Sequence, residues 1–178
     1  MTTTGPYFSR KPPRFVAQNR PNDCWAACLE MWVQGERGYS YSQDYYLSGA
    51  GDFDIGAGGI DSDALGSVID GCLANGTLSM YWTKVGRAAD VPYIYLILKE
   101  VGYVYVAFSR PGGGGHANVI FGGDGKTFDA VDPDSRIRSQ TRPFSFYFSA
   151  FPAIVGWRMT SAMPGIDYTG RAPWDYAP

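Results

Sequence analysis

The segment Cys24–Val33 would be apolar on nearly every face of a helix, and this feature constrains the fold more than any other. Asn22 or Asp23 can cap the free N–H groups at its start, and Gly35 is the expected end of the helix. A helix without a polar face has to be packed on all sides. The chain has 178 residues, a length that suits one domain. We therefore predict a single domain over residues 1–178, folded around this central helix.

Helical patterns come first along the chain and strand patterns come second. The segment Gly122–Lys126 is rich in residues that form tight turns, and predicts a hairpin between the strands on either side. Helices followed by antiparallel strands are typical of the α+β class. We expect residues 1–15 to be extended and the Pro- and Gly-containing tail, residues 164–178, to lie along the surface. The predicted helices cover residues 24–33, 43–47, 61–73 and 91–101, and the predicted strands cover residues 78–83, 103–108, 117–121, 127–131 and 154–159.

Composition and charge argue against several classes of function. The chain has 15 basic and 17 acidic residues, so its net charge of −2 provides no broad basic surface for binding nucleic acid. The longest nearly apolar run, Val91–Leu98, is too short to cross a bilayer, and no membrane insertion is expected. Residues 1–20 carry basic side chains without an apolar stretch behind them, so no Sec-type signal peptide is visible. We expect a soluble protein that is made in the cytoplasm.

Three cysteines and one histidine limit the chemistry that the chain can carry. Three cysteines cannot all pair, and one histidine with scattered cysteines lacks the spacing of a zinc site. We therefore expect reduced thiols and neither a metal nor another cofactor. Cys24 lies at the predicted start of a helix, where a thiolate is stabilised, and we interpret it as a nucleophile. Cys28 and Cys72 are interpreted as small buried side chains of the core.

The only histidine, His116, opens the strand before the predicted hairpin turn, and Asp132 lies at the end of the strand after it. A turn centred on Asp124 would place the two residues opposite each other. A change of turn type would shift the pairing by one residue, and we expect the two to remain side by side. A carboxylate in that position can accept the imidazole N–H and fix the tautomer of a catalytic base. A surface pair at the end of a strand is the alternative interpretation.

Gln18 lies six residues before Cys24, in the loop that precedes the central helix. Attack of a thiolate on a carbonyl creates an oxyanion that needs hydrogen-bond donors, and the backbone N–H of the nucleophile is one of them. The side-chain amide of Gln18 is suitably placed to be the second donor. For a loop glutamine taken alone, a solvated side chain is the simpler interpretation. The combination with Cys24, His116 and Asp132, in this order, is what acyl transfer requires.

These residues resemble those of the papain-like cysteine peptidases. The segment Gln18–Cys28 is similar to the nucleophile segment of the compact bacterial branch, which includes bacteriocin-processing peptidase domains and effector proteases injected into plant cells. The segments Gly115–Ile120 and Val131–Pro133 resemble its His and Asp motifs. The resemblance covers roughly residues 15–135 and implies an α+β papain-like fold, with the nucleophile on a central helix and the His and Asp on an antiparallel sheet. It implies that Cys24 is the nucleophile, His116 the base and acid, Asp132 the residue that orients it, and Gln18 an oxyanion donor.

The resemblance also implies a function, which is hydrolysis of an amide bond in a protein or peptide through a thioester on Cys24, without a cofactor. No inhibitory propeptide is visible, so we expect either narrow specificity or export as a bacterial effector or toxin that is held in check by an inhibitory or immunity protein. Three alternatives stay open. They are an amidase or deamidase, a transglutaminase-like transfer to an amine, and a binding module that has kept the fold without activity.

Overall fold

The structure, a computed structural model, describes residues 6–49, 62–85, 91–110, 113–148 and 152–159. The residues 1–5 and the predicted surface tail, residues 164–178, lie outside this part of the chain. The helices are α1 (Cys24–Arg37), α2 (Gln43–Gly49), α3 (Ser62–Ala74), α4 (Val91–Glu100) and α5 (Phe144–Tyr147). The strands are β1 (Phe8–Ser9), β2 (Met80–Val85), β3 (Val104–Ser109), β4 (Gly115–Gly123), β5 (Thr127–Val131), β6 (Ser139–Pro143) and β7 (Ala153–Arg158).

One antiparallel sheet has the strand order β2–β7–β3–β4–β5–β6, and the short β1 pairs with β4 outside this path. Because side chains alternate along a strand, β3 directs Tyr105 to one face of the sheet and Val106 to the other. On the first face, Tyr105 belongs to a buried cluster with side chains of α1, α2 and α3. On the second face, Val106 belongs to a cluster with side chains of α4 and α5. The sheet is therefore covered on both faces, and the helix that begins at Cys24 packs on the first.

Helix α1 is longer than the sequence predicts. The predicted end at Gly35 is wrong, because the helix continues to Arg37 and ends at Gly38, which has a left-handed φ of 80°. Gly35 serves packing, since a Cβ at that position would lie 2.7 Å from the ring of Tyr103. The helix is packed against α2, β3 and β4, as expected for a segment that is apolar on nearly all sides.

The remaining predicted elements match the observed ones to within two residues at each end. Three elements occur where none was predicted, namely β1, β6 and α5. Strand β6 carries polar side chains and is mostly exposed, so it has no apolar alternation that could have marked it. In the described ranges, no helix is long and apolar enough to cross a membrane.

The turn between β4 and β5 lies later in the chain than a turn centred on Asp124. The Oδ1 atom of Asp124 accepts hydrogen bonds from the amides of Lys126 and Thr127, at 2.8 and 2.9 Å. These bonds place the turn after Asp124, and Gly123 still pairs with Phe128. Gly123 has φ of 154°, and Gly125 in the turn has φ of 84°, which are conformations that glycine adopts readily.

A β-bulge in the same hairpin shifts the register again before the open end. Val119 pairs with Val131, so position 134 rather than Asp132 lies opposite His116. The predicted pairing of His116 with Asp132 is therefore wrong. Asp132 lies on the diagonal, two residues nearer to the turn, and because two residues is one full period of a strand it shares a face of the sheet with His116.

Candidate active site

His116 and Asp132 form a buried hydrogen-bonded pair. Their exposed fractions are 5% and 1%, and Nε2 of His116 lies 2.8 Å from Oδ2 of Asp132. The carboxylate accepts, so Nε2 carries the hydrogen and Nδ1 is the acceptor atom of the ring. The rings of Phe108 and His116 pack nearly perpendicular to each other, with 5.8 Å between the centroids. The imidazole is therefore held by a hydrogen bond to Asp132 and by an aromatic contact with Phe108.

Several donors keep Asp132 charged. Burial raises the pKa of its carboxyl, but the hydrogen bond and charge of His116 and the amide of Asp134 outweigh this, so that the pKa lies below its ordinary value. The Asp134 amide donates to Oδ1 at 2.8 Å. The side chain of Gln140 donates through Nε2 to Oδ2 at 2.9 Å, so that one carboxylate oxygen serves both Gln140 and His116. A carboxylate held in this way is ionised at neutral pH and can stabilise an imidazolium.

Gln140 was not found by sequence reasoning. Its Nε2 also donates to Oδ1 of Asn118 at 3.0 Å, and its Oε1 accepts from Nε of Arg142 at 2.8 Å. All three partners fit one orientation of the amide, since two are acceptors facing the nitrogen and one is a donor facing the oxygen. Gln140 pairs with Ala130 across β5 and β6, and only this pairing could have revealed it, because its segment contains no recognisable motif.

Cys24 is the first residue of α1 and is nearly buried, with 6% of its surface exposed. Burial raises the pKa of its thiol, and a hydrogen bond from the amide of Ala117 and the charge of Arg110 offset the shift only in part. The stabilisation of a thiolate expected at a helix start is thus outweighed by desolvation. Because Ala117 follows His116 in β4, the thiol lies beside the strand that carries the histidine.

Asp23 does not form the side-chain cap that the sequence offers for it at the start of α1. Asp23 is the N-cap residue, but its side chain makes no hydrogen bond to the helix. The carboxyl is buried, its Oδ2 has no hydrogen-bond partner among the described residues, and burial raises its pKa.

The other two cysteines belong to the core, as predicted. Cys28 and Cys72 lie in the cluster between the sheet and α1 to α3, and all three thiols of the chain are unpaired. Burial raises the pKa of both, and that of Cys28 lies well above its ordinary value. Both thiols therefore stay protonated near neutral pH.

Arg110 is a second site residue that the sequence did not reveal. Its Nη2 lies 2.5 Å from Nδ1 of His116, the ring nitrogen that does not face Asp132. A guanidinium is always a donor, so Nδ1 accepts this bond. In this arrangement the atom that would take a proton from a nucleophile is occupied by Arg110.

Gln18 is tied to the same region through its backbone. Its N–H donates to the carbonyl of Pro133, the residue after Asp132, at 3.0 Å. Its side-chain Nε2 donates to the carbonyls of Arg20 and Pro21, at 3.0 and 2.9 Å, in the loop that leads to Cys24. The amide group thus lies in the predicted loop, with its hydrogens bonded to carbonyls of that loop.

Within the described part of the chain, no three His, Cys, Asp or Glu side chains come together in a way that could hold a metal ion. The groups placed at this site are a thiol, an imidazole–carboxylate pair and an amide. Together they can perform acyl transfer with a covalent intermediate.

Comparisons with known proteins agree with this chemistry. Residues 10–151 match a family model described as papain-like cysteine protease AvrRpt2. No curated protein sequence matches the chain. Among solved structures, the peptidase domain of Streptococcus ComA, a bifunctional ABC transporter involved in a quorum-sensing pathway, has a TM-score of 0.59 at 15% identity over 82% of this chain and 98% of that one. A double-glycine-motif protease from an AMS/PCAT transporter, solved in complex with the leader peptide, has a TM-score of 0.56 at 14% identity over 89% of this chain and 97% of that one. At these identities the two structures show a shared fold.

Proposed function

The chain belongs to the papain-like cysteine protease family that this model describes, and from that premise we propose that it cuts a peptide bond through a thioester on Cys24. The α+β papain-like fold and the class of enzyme, a cysteine peptidase, are as the sequence predicted. The assignment of individual residues rests mainly on the buried hydrogen bond between His116 and Asp132, beside a cysteine at the start of a helix.

In the acylation step, the thiol proton of Cys24 passes to Nδ1 of His116 as the sulfur attacks the substrate carbonyl carbon. Because burial raises the pKa of the thiol, the thiolate depends on this transfer and does not form freely at neutral pH. Arg110 must release Nδ1 before that atom can accept the proton. Asp132 accepts from Nε2–H throughout and stabilises the imidazolium that results.

The tetrahedral intermediate carries its negative charge on the former carbonyl oxygen. The backbone N–H of Cys24, at the start of α1, is one donor to this oxyanion. The second donor is the side-chain amide of Gln18, which exchanges one of its bonds to the Arg20 and Pro21 carbonyls for a bond to the oxyanion. The C–N bond then breaks, and the imidazolium gives its proton to the departing amine. Water, deprotonated by His116, hydrolyses the thioester, and the proton returns to the Cys24 thiolate.

The substrate is a protein or peptide. In support, one structurally similar protease was solved with a leader peptide bound. We place the enzyme as a bacterial effector or toxin, exported into a target cell and restrained by an inhibitory or immunity protein. This placement rests on the resemblance of Gln18–Cys28 to effector proteases, and expression of wild type and Cys24→Ala in a host cell tests it. Equal effects of the two proteins on growth and on host proteins would contradict it.

The test of the reaction compares wild type with Cys24→Ala on a proteome-derived peptide library, read by mass spectrometry. We expect new peptide termini only with the wild type, and none with His116→Ala. Release of ammonia without new termini would indicate a deamidase, and addition of a supplied amine would indicate transamidation. Absence of any reaction with the wild type would favour a binding module.

Iodoacetamide labelling tests the nucleophile separately. Cys24 should be alkylated before Cys28 and Cys72 near neutral pH, because His116 serves only the first. Peptide mapping measures the order, and three equally slow cysteines would contradict the assignment of Cys24.

A further inference from the structure

Both the nitrogen and the oxygen of the Gln43 side-chain amide form hydrogen bonds with the backbone of residues 17–19. It is the first residue of α2 and is buried, with 4% exposed. Its Nε2 donates to the carbonyl of Ala17 at 2.8 Å, and its Oε1 accepts from the amide of Asn19 at 3.1 Å. These bonds join two parts of the sequence that no motif connects.

The two bonded groups belong to the peptide units on either side of the Cα of Gln18. The carbonyl of Ala17 lies in the preceding unit, and the amide of Asn19 lies in the following one. The preceding unit is also held at its other end, because the N–H of Gln18 donates to the carbonyl of Pro133 at 3.0 Å. With both flanking peptide planes fixed, the φ and ψ angles of Gln18 are fixed as well.

Gln43 is itself anchored to the helix of the nucleophile. Its backbone N–H donates to Oε2 of Glu30 at 2.9 Å, and Glu30 belongs to α1, which begins at Cys24. A bond to a carboxylate is stronger than one between neutral groups. The connection therefore runs from α1 through Glu30 and Gln43 to the backbone at Gln18.

We propose that Gln43 is a positioning residue of the oxyanion hole, which holds the Gln18 backbone in fixed register with the helix that carries Cys24. The proposal rests on the function proposed above for Gln18. An oxyanion donor acts only when it lies about 2.7–3.1 Å from the developing charge, and a displacement of about 1 Å can cost roughly 100-fold in rate. Gln18 sits in a loop, and Gln43 supplies the rigidity that a loop lacks.

Two reagents that react with the Cys24 thiol distinguish a positioning role of Gln43 from a general structural role. Acylation of Cys24 by p-nitrophenyl acetate passes through a tetrahedral oxyanion, whereas alkylation by iodoacetamide is a direct displacement at carbon and creates none. We expect Gln43→Leu to slow the p-nitrophenol burst by about 10-fold or more, as a weakened oxyanion contact should. The alkylation rate of Cys24 should stay within about twofold of wild type, because thiol activation by His116 is untouched.

Two further variants keep the test decisive. Gln43→Glu has nearly the same shape but loses the donor to Ala17, so it should show the same selective loss even if Gln43→Leu folds poorly. Ser48→Ala lies in the same helix, and its hydroxyl donates only to the nearby carbonyl of Tyr45, so both rates should match wild type. A parallel slowing of acylation and alkylation in both Gln43 variants would mean a general structural role and would overturn the proposal.

The double variant with Gln18→Ala shows whether Gln43 acts through Gln18. If it does, Gln43→Leu should cost little further acylation rate once the Gln18 amide is gone. Loss of acylation in Gln18→Ala with full activity in Gln43→Leu would overturn the role of Gln43 alone. Full activity in Gln18→Ala would overturn the proposed oxyanion role of Gln18, and the positioning role with it.

Discussion

Replacing Gln140 by leucine removes one donor from Asp132 and leaves a side chain of similar size. In the wild type, Oδ2 of Asp132 accepts from Gln140 at 2.9 Å and from His116 at 2.8 Å. In Gln140→Leu the buried carboxylate oxygen loses the bond from Gln140 and keeps the bond from His116. The variant should therefore be less stable at neutral pH, and its imidazole should be held less firmly.

The size of the effect follows from the type of bond. A hydrogen bond to a charged group contributes roughly 1.5–3 kcal/mol, and Gln140 is only half-buried, so water can replace part of it. We expect the free energy of unfolding at pH 7 to fall by about 1.5–2 kcal/mol. Since about 1.4 kcal/mol corresponds to one pKa unit, the pKa of the Asp132 carboxyl should rise by about one unit. If the same energy is lost from the imidazolium in the transition state, the acylation rate falls by roughly 10- to 30-fold.

The pH dependence of the free energy of unfolding tests this variant most directly. The pKa of Asp132 is lowered in the folded protein, so its ionised form stabilises the fold above the pKa of the unfolded chain, about 4. That stabilisation is lost as the pH falls through the folded pKa. The stability difference between wild type and Gln140→Leu should therefore be full at pH 7 and should shrink below about pH 4. Urea unfolding of both proteins at a series of pH values from 7 down to about 3 measures this difference.

A difference that is equal at pH 7 and near pH 3 would refute the reasoning, because it would mean that Gln140 stabilises the fold only through contacts independent of the Asp132 charge, such as its bond to Asn118. Ser139→Ala is the matched control, since Ser139 precedes Gln140 in β6 and is exposed. Its free energy of unfolding should stay within about 0.5 kcal/mol of wild type at every pH.

Two more predictions concern the Nδ1 atom of His116 and the β4–β5 hairpin, which contains this histidine. Arg110→Met should speed alkylation of Cys24 by iodoacetamide at pH 7, because Nδ1 of His116 is then free to take the thiol proton. A slower reaction would show that the positive charge of Arg110, which favours the thiolate, matters more than the blocked acceptor. Gly123→Ala should lower the free energy of unfolding by about 1–3 kcal/mol in thermal unfolding, because φ is 154° and a Cβ would lie 2.4 Å from the Thr127 carbonyl oxygen. Gly71→Ala, in a helix with open space around the new methyl group, should cause no loss, and equal losses in the two variants would contradict the role given to Gly123.

Local patterns predicted most of the fold, and they failed where a distant contact decides the structure. The residues Leu65, Val68 and Ile69 recur at helical spacing, and all lie in the core on α3. The end of α1 could not be predicted in the same way, because Gly35 looks like a stop signal until Tyr103 is found against it. Strand β6 forms by pairing with β5, and its polar sequence contains no sign of this pairing.

The contact between His116 and Asp132 was predictable although the predicted register was wrong. Side chains in a strand alternate with a period of two, so a shift of the pairing by one residue would have put the two groups on opposite faces of the sheet. The later turn and the bulge together shift the pairing by two residues, which restores the face and leaves Asp132 on the diagonal of His116. The expectation that a shift of one residue would be harmless was therefore mistaken. Near the turn Gly123 pairs with Phe128, three residues beyond the predicted partner, and the bulge takes one residue back, so the contact exists because the bulge makes the shift even.

Catalytic residues can be predicted from a single sequence more readily than the residues that position them. A nucleophile or a base is restricted by its chemistry to a few residue types, and with one histidine in the chain the choice is small. The residue type of a positioning side chain is restricted only by where it lies in the folded structure. Gln43 lies 24 and 26 residues from the two groups that it bonds, and Gln140 lies 22 residues from Asn118. Nothing in the sequence distinguishes either glutamine from other polar residues until the fold brings its partners within 3.1 Å. Variants of these amides therefore test the three-dimensional arrangement, whereas variants of Cys24 test only the chemistry.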